Sequence, residues 1–176
     1  CLAGGVALNC VANGMLLKEN VFENIWIQPA AGDAGGSLGA ALALWHNELN
    51  NPRNQPTIDS MKGSYLGPEY NNEEIKKKLE QIGAVFKYYN DDEIILKTAE
   101  DLSKGFAIGW FQGRMEFGPR ALGARSILGD PRSPTMQKNL NLKVKYRESF
   151  RPFAPSILRE DLSNWFDLNV DSPYML

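Results

Sequence analysis

Apolar and polar positions change their period several times along this chain, and the changes mark out its elements. Residues 1–49 read as two strand-to-helix units. The apolar run CLAGGVAL meets Gly4 and Gly5 and passes into NCVANGMLLKE, which suits a helix. NIWIQPA is a β-rich run ending at Pro29 and the glycine-rich turn AGDAGG. SLGAALALWHNEL follows, and its Ala and Leu predict a buried helix. Two such units side by side predict a parallel α/β arrangement. From residue 50 the period is lost: NNPRNQPTIDSMKG has two prolines and a polar run, which places a linker at 51–63. Beyond it, SYLGPEY predicts a strand entering a turn. NNEEIKKKLEQIG has Asn at its start, early Glu, late Lys and a closing Gly, the pattern of a capped helix. AVFKYY alternates as a strand, DDEIILKTAEDLSKG repeats the capped-helix pattern, and FAIGWFQ is a further strand. The expected organisation is residues 1–50, a linker at 51–63, and an α+β or α/β domain over 64–176.

Charge changes this picture in one place. Residues 109–153 carry nine basic residues against three acidic ones, a net +6 in a chain whose total is −2, so the remainder sums to −8. The same stretch is rich in Gly, Pro and aromatics. Guanidinium forks match phosphate oxygens and glycine lets backbone N–H groups approach them, so the combination predicts a bound anion, phosphate above others. Within FGPRALGARSIL, Arg120 and Arg125 are spaced as Gly118 and Gly123 are, and a loop turning between them would bring both cations to one anion. The competing reading is a solvated loop whose arginines make rim ion pairs. In KVKYRESFRPFAP, an extended strand would set Lys145, Arg147 and Arg151 on one face, with Phe150 and Phe153 as anchors. A basic edge strand that blocks edge-to-edge pairing has the same pattern.

Other residues carry weaker signals. Asp33 lies at an expected helix N-terminus, where a carboxylate can cap the helix or hold a metal and where free N–H groups attract anions. The AGGVALN turn, with Gly4, Gly5 and Asn9, is not a dinucleotide fingerprint. His46 is the sole histidine, which rules out a histidine cluster within these residues, and it is expected on the surface. Cys1 and Cys10 form no CxxC, and Cys10 is expected to pack as a small buried residue. With 43% hydrophobic and 23% charged residues, apolar runs too short for a bilayer and no secretory pattern, a cytoplasmic globular protein is expected. The apolar ends CLAGGVALN and SPYML lead us to expect a stretch excised from a longer chain.

GGVALN, GDAGGSLGAAL, GWFQGRMEFGPRALGARSIL, SFRPFAPSIL and SPYML, in this order, resemble the O-carbamoyltransferase family, over nearly the whole chain. The resemblance implies the tail of an actin/hexokinase-type (Kae1-like) domain followed by an incomplete YrdC-like mixed α/β domain. It implies that the second domain turns carbamoyl phosphate and ATP into carbamoyl adenylate, and that the first transfers the carbamoyl group to a substrate hydroxyl. Carried over by motif, Arg120, Arg125, Lys145 and Arg151 would hold the phosphate, with Gly118, Gly123 and Arg147 beside them. Gly4, Gly5 and Asn9 would line a nucleotide pocket, and Asp33 would bind a metal, iron in the family, with Mg accompanying ATP. The family's metal-binding histidines fall ahead of residue 1, so these residues alone are expected to be inactive in the overall reaction. A homodimer is expected by the same resemblance. An RNA-binding YrdC-like module is the alternative; the acidic pI of about 5.5 and the confinement of basic charge to one segment weigh against nucleic acid.

Overall fold

The computed structural model describes residues 1–176 as a mixed α/β chain with six helices and one two-stranded sheet. It divides into two compact units. One comprises Cys1–Glu69, Arg114–Ala124 and Asp171–Leu176; the other comprises Tyr70–Gly113 and Arg125–Val170. No helix is long and apolar enough to cross a membrane.

In the first unit a 3₁₀ turn at Gly5–Leu8 leads into helix α1 (Cys10–Lys18), and helix α2 (Asp33–Ala43) continues into a π-helical turn at Leu44–Glu48. The two strands expected in residues 1–29 shrink to a single parallel bridge, Leu2 to Ile27. Glycine is the reason at the first: Gly4 takes φ 86°, which bends the run out of extension at once. The core here is built of small residues, Ala7, Ala30, Ala31 and Ala124, with Met61. Ala30 adopts the left-handed φ of 55°. Gly35 is the residue that tolerates it, since a Cβ there would lie 2.4 Å from the Ala30 carbonyl oxygen. SYLGPEY forms no strand; a 3₁₀ turn at Lys62–Ser64 takes its first residue, and Gly67 N–H donates to the Met115 carbonyl at 2.9 Å. Within the aperiodic segment, Asp59 accepts from the N–H groups of Met61 (2.9 Å) and Gly63 (3.2 Å) and from the Tyr174 hydroxyl.

Cys10 opens α1 and is exposed, not packed: Val11 beside it is exposed too, and the buried position of α1 is taken by Asn13. His46 is half-buried at the surface, and its Nδ1 lies 3.0 Å from the Asn51 carbonyl oxygen.

In the second unit both capped helices form where the pattern places them, α3 (Asn72–Gln81) and α4 (Asp91–Ser103). Each opens with a reciprocal capping box: Asn71 with Glu74 (2.9 and 2.8 Å) and Asn90 with Glu93 (2.9 and 3.1 Å). Strand β1 (Ile108–Phe111) lies within the expected FAIGWFQ run. Its antiparallel partner β2 (Arg125–Leu128), Ile108 opposite Leu128, occupies the end of the stretch expected to be loop. AVFKYY does not pair as a strand, and Val85 and Tyr88 are exposed. Helix α5 (Met136–Asn139), a π-helical turn at Leu140–Val144 and helix α6 (Leu162–Trp165) complete the unit. Met136, Leu140 and Leu162 are its buried apolar residues.

Two measurements probe the first unit. Gly35→Ala forces the backbone around Ala30 to move and should lower unfolding stability by roughly 1–3 kcal/mol in a urea titration. The second is pH dependence. The Tyr174 hydroxyl, with the N–H groups of Gly63 and Met61, holds the Asp59 carboxyl below its usual 3.8, against the opposing effect of burial. Burial first, then the bond to Asp59, pushes the Tyr174 phenol from 10.0 up to about 12. The depressed acid stabilises the fold above its usual range and loses that contribution as pH falls through its folded value. The raised phenol stabilises it below pH 10.0 and loses that contribution as pH rises towards about 12. Tyr174→Phe should therefore flatten the alkaline limb of the stability curve.

Candidate functional site

In the first unit, backbone hydrogen bonds bring several of the candidate residues together. Gly4 N–H donates to the Ala31 carbonyl at 2.7 Å, which ties the Gly4–Asn9 turn to the turn ahead of Asp33. Asn9 caps α1, its side chain accepting from Ala12 N–H at 3.2 Å. Asp33 is exposed in the first turn of α2, where the helix dipole favours a carboxylate; Gly32 is the N-cap. Gly118 reaches the same place from the FGPR motif, with φ 108° and a position where a Cβ would lie 2.7 Å from the Ala30 Cβ. Two residues on, Arg120 sends Nη2 to the Leu8 carbonyl at 2.7 Å. Its Nε is buried without a hydrogen-bond partner, a costly state for a charged group. Arg120 and the Gly4–Asn9 turn, expected in separate sites, lie side by side in the fold.

The loop that carries Arg120 is shaped by a residue the sequence reading passed over. Glu116, only 6% exposed, accepts from the N–H groups of Leu122 (2.7 Å) and Ala124 (2.8 Å) through one carboxylate oxygen. Tyr65 donates its hydroxyl to the Leu122 carbonyl at 2.6 Å, and Gly123 takes φ 109° to complete the turn. Part of the backbone N–H array expected to meet a phosphate is thus given to an internal carboxylate. The signal available in the sequence was an acid placed inside a basic, glycine-rich stretch.

In the second unit, Arg125 stands at the start of β2. It donates to the carbonyls of Gln112 (3.0 Å) and Gly113 (3.1 Å), and its guanidinium lies 3.4 Å from the Phe111 ring centroid. The expected strand over 143–155 does not form. The π-helical turn ends at Val144 with Lys145 as its C-cap, and Tyr146 takes a left-handed φ of 50°, which breaks any period-two alternation. Lys145, Arg147 and Arg151 therefore share no strand face. Lys145 is exposed. Arg147 turns inward, with Nε 2.6 Å from Asn141 Oδ1 and its guanidinium 4.9 Å from the Phe153 ring. Arg151 pairs with Glu148 at 2.7 Å. The Glu148 carboxyl is lowered, first by its own backbone N–H and then by Arg151.

As a metal site the residues present do not suffice. No group of three or more His, Cys, Asp or Glu converges anywhere in the chain, and Asp33 alone is a poor transition-metal site.

Residues 99–176 match the family described as carbamoyltransferase C-terminus, and residues 1–42 match carbamoyltransferase N-terminus. The chain belongs to the carbamoyltransferase family. Membership makes it part of a family of transferases. Relatives include an uncharacterized protein of Synechocystis sp., 62% identical over 100% of this chain and 29% of its own length. Nodulation protein NolO of Bradyrhizobium diazoefficiens is 47% identical over 96% of this chain and 30% of its own length. The 3'-hydroxymethylcephem-O-carbamoyltransferase of Streptomyces clavuligerus is 33% identical over 99% of this chain and 31% of its own length. This carbamoyltransferase-family chain thus spans under a third of each of these relatives.

Glu116→Ala should leave the Leu122 and Ala124 N–H groups without this acceptor and cost roughly 2–4 kcal/mol in denaturant unfolding. Glu116→Gln, which retains a side-chain oxygen, should recover much of that loss.

Proposed function

We propose that this chain takes part in ATP-dependent O-carbamoyl transfer. Carbamoyl phosphate and ATP give carbamoyl adenylate, phosphate and pyrophosphate, with water supplying the oxygen that balances phosphate release. The hydroxyl of a small-molecule acceptor then attacks the carbamoyl carbon and AMP leaves. Residues 1–50 are read as the end of a Kae1-like domain and 64–176 as part of a YrdC-like domain, with 51–63 between them. The observation that carries the proposal, beside family membership, is Arg120: a guanidinium fixed next to the glycine turn with a buried Nε that lacks a partner. An anionic oxygen is the group that such an N–H is suited to meet.

In the first unit, Arg120 and the Gly4–Asn9 turn are assigned to a nucleotide or adenylate phosphate. In the second, Lys145 and Arg151 are assigned to carbamoyl phosphate, where fixed positive charge offsets the negative charge that builds up in the transfer. Arg125 and Arg147 support these cations, since their own N–H groups already meet protein oxygens. Asp33 would need metal-ligating partners from outside this chain.

The test is ATP–pyrophosphate exchange that depends on carbamoyl phosphate, measured on the intact protein. Arg120→Ala and Lys145→Ala should each lower the exchange rate by about 100-fold. Exchange that ignores carbamoyl phosphate, or that survives both substitutions, would sink the adenylation chemistry.

A further inference from the structure

Asn141 is completely buried, at 0% exposure, where apolar contact alone would not account for a polar residue. Its hydrogen bonds do. Nδ2 donates to the carbonyls of Ser149 (3.1 Å) and Arg151 (2.8 Å), and Oδ1 accepts from Arg147 Nε (2.6 Å). The amide orientation follows from chemistry, because carbonyls only accept and the guanidinium only donates. One helical turn earlier, Gln137 donates Nε2 to the carbonyls of Phe150 (3.1 Å) and Arg151 (3.1 Å). Both amides therefore meet on the Arg151 carbonyl. Residues 149–151 have no strand neighbour, and two side-chain amides, one from α5 and one from the π-helical turn that follows it, supply the donors that a β-ladder would have provided.

We propose that Asn141 and Gln137 are positioning residues for carbamoyl-phosphate binding, acting through Arg151. The inference rests on the assignment of Lys145 and Arg151 to carbamoyl phosphate. By fixing three consecutive carbonyls, the amides set where the Arg151 side chain leaves the backbone. Asn141 also draws Arg147 inward on to Phe153, which keeps a second guanidinium from competing for the Glu148 carboxylate beside Arg151. The basic loop is thus held in shape before a ligand arrives, and the energy of binding is not spent on ordering it.

The experiment is a double-mutant cycle on the intact protein, with the KM for carbamoyl phosphate and amide hydrogen exchange at 149–151 as readouts. Gln137 is exposed, so Gln137→Leu is the variant that folds most readily, and Asn141→Asp keeps Oδ1 for Arg147 while removing the donor. Each should raise the KM for carbamoyl phosphate, by about 3-fold for Gln137→Leu and about 10-fold for Asn141→Asp, with the acceptor KM unchanged. In an Arg151→Ala background Gln137→Leu should add nothing, because the residue it acts through is gone. Exchange that accelerates while the carbamoyl-phosphate KM stays put, or effects that persist undiminished in Arg151→Ala, would overturn the positioning role. A wild-type protein that ignores carbamoyl phosphate would instead overturn the functional assignment, and the exchange data would still decide whether the amides hold the loop.

Discussion

The first unit depends on a close approach at Ala30. A left-handed alanine costs about 1–2 kcal/mol relative to a relaxed backbone, so it persists only where its surroundings hold it. Here glycines crowd it from two directions, Gly35 from the first turn of α2 and Gly118 from the FGPR motif, each at a distance no Cβ could share. That double approach places the turn ahead of Asp33, the Gly4–Asn9 turn and the Arg120 loop in one neighbourhood. A stretch more than eighty residues downstream becomes part of the packing of residues 1–69. The glycines that sequence reasoning offered to a phosphate serve first to let backbone meet backbone.

The second unit solves a different problem. Its basic segment cannot pair as a strand once Tyr146 turns left-handed and Pro152 removes an N–H, so its carbonyls need donors from elsewhere. Side-chain amides from the helix before it answer that need. The result sorts the cations: Arg125 and Arg147 point at protein oxygens and aromatic faces, whereas Lys145 stays exposed and Arg151 is held by a single carboxylate.

What was legible in the sequence was local. Both capping boxes could be read from Asn and Glu three residues apart, and α3, α4 and β1 lie where the pattern puts them. Helix α2 forms as well, but the burial expected of it fails: none of its residues is buried, and Leu42, Leu44 and Trp45 are exposed. The misses have particular causes. Gly4 leaves the extended region within an apolar run expected as a strand, Tyr146 does so within a segment expected to alternate, and the charge of Arg125 masks the strand-forming Ser-Ile-Leu that follows it in β2. The cluster of candidate residues was visible as composition, but not which of them meet. Period and spacing say nothing of a carbonyl such as that of Leu8, more than a hundred positions away, waiting for the Arg120 guanidinium. Glu116 and Asn141, buried polar residues that hold backbone groups of the loops after them, leave no mark on a hydrophobic pattern.

The Glu116 carboxylate carries a consequence for selectivity. A glycine-rich loop with open N–H groups accepts any anion of suitable size, because backbone dipoles do not distinguish one oxyanion from another. Two of those donors are already quenched from within by a tethered acid of the loop's own. Choice among anions then passes from the main chain to side chains, whose identity evolution can alter one residue at a time without rebuilding the turn.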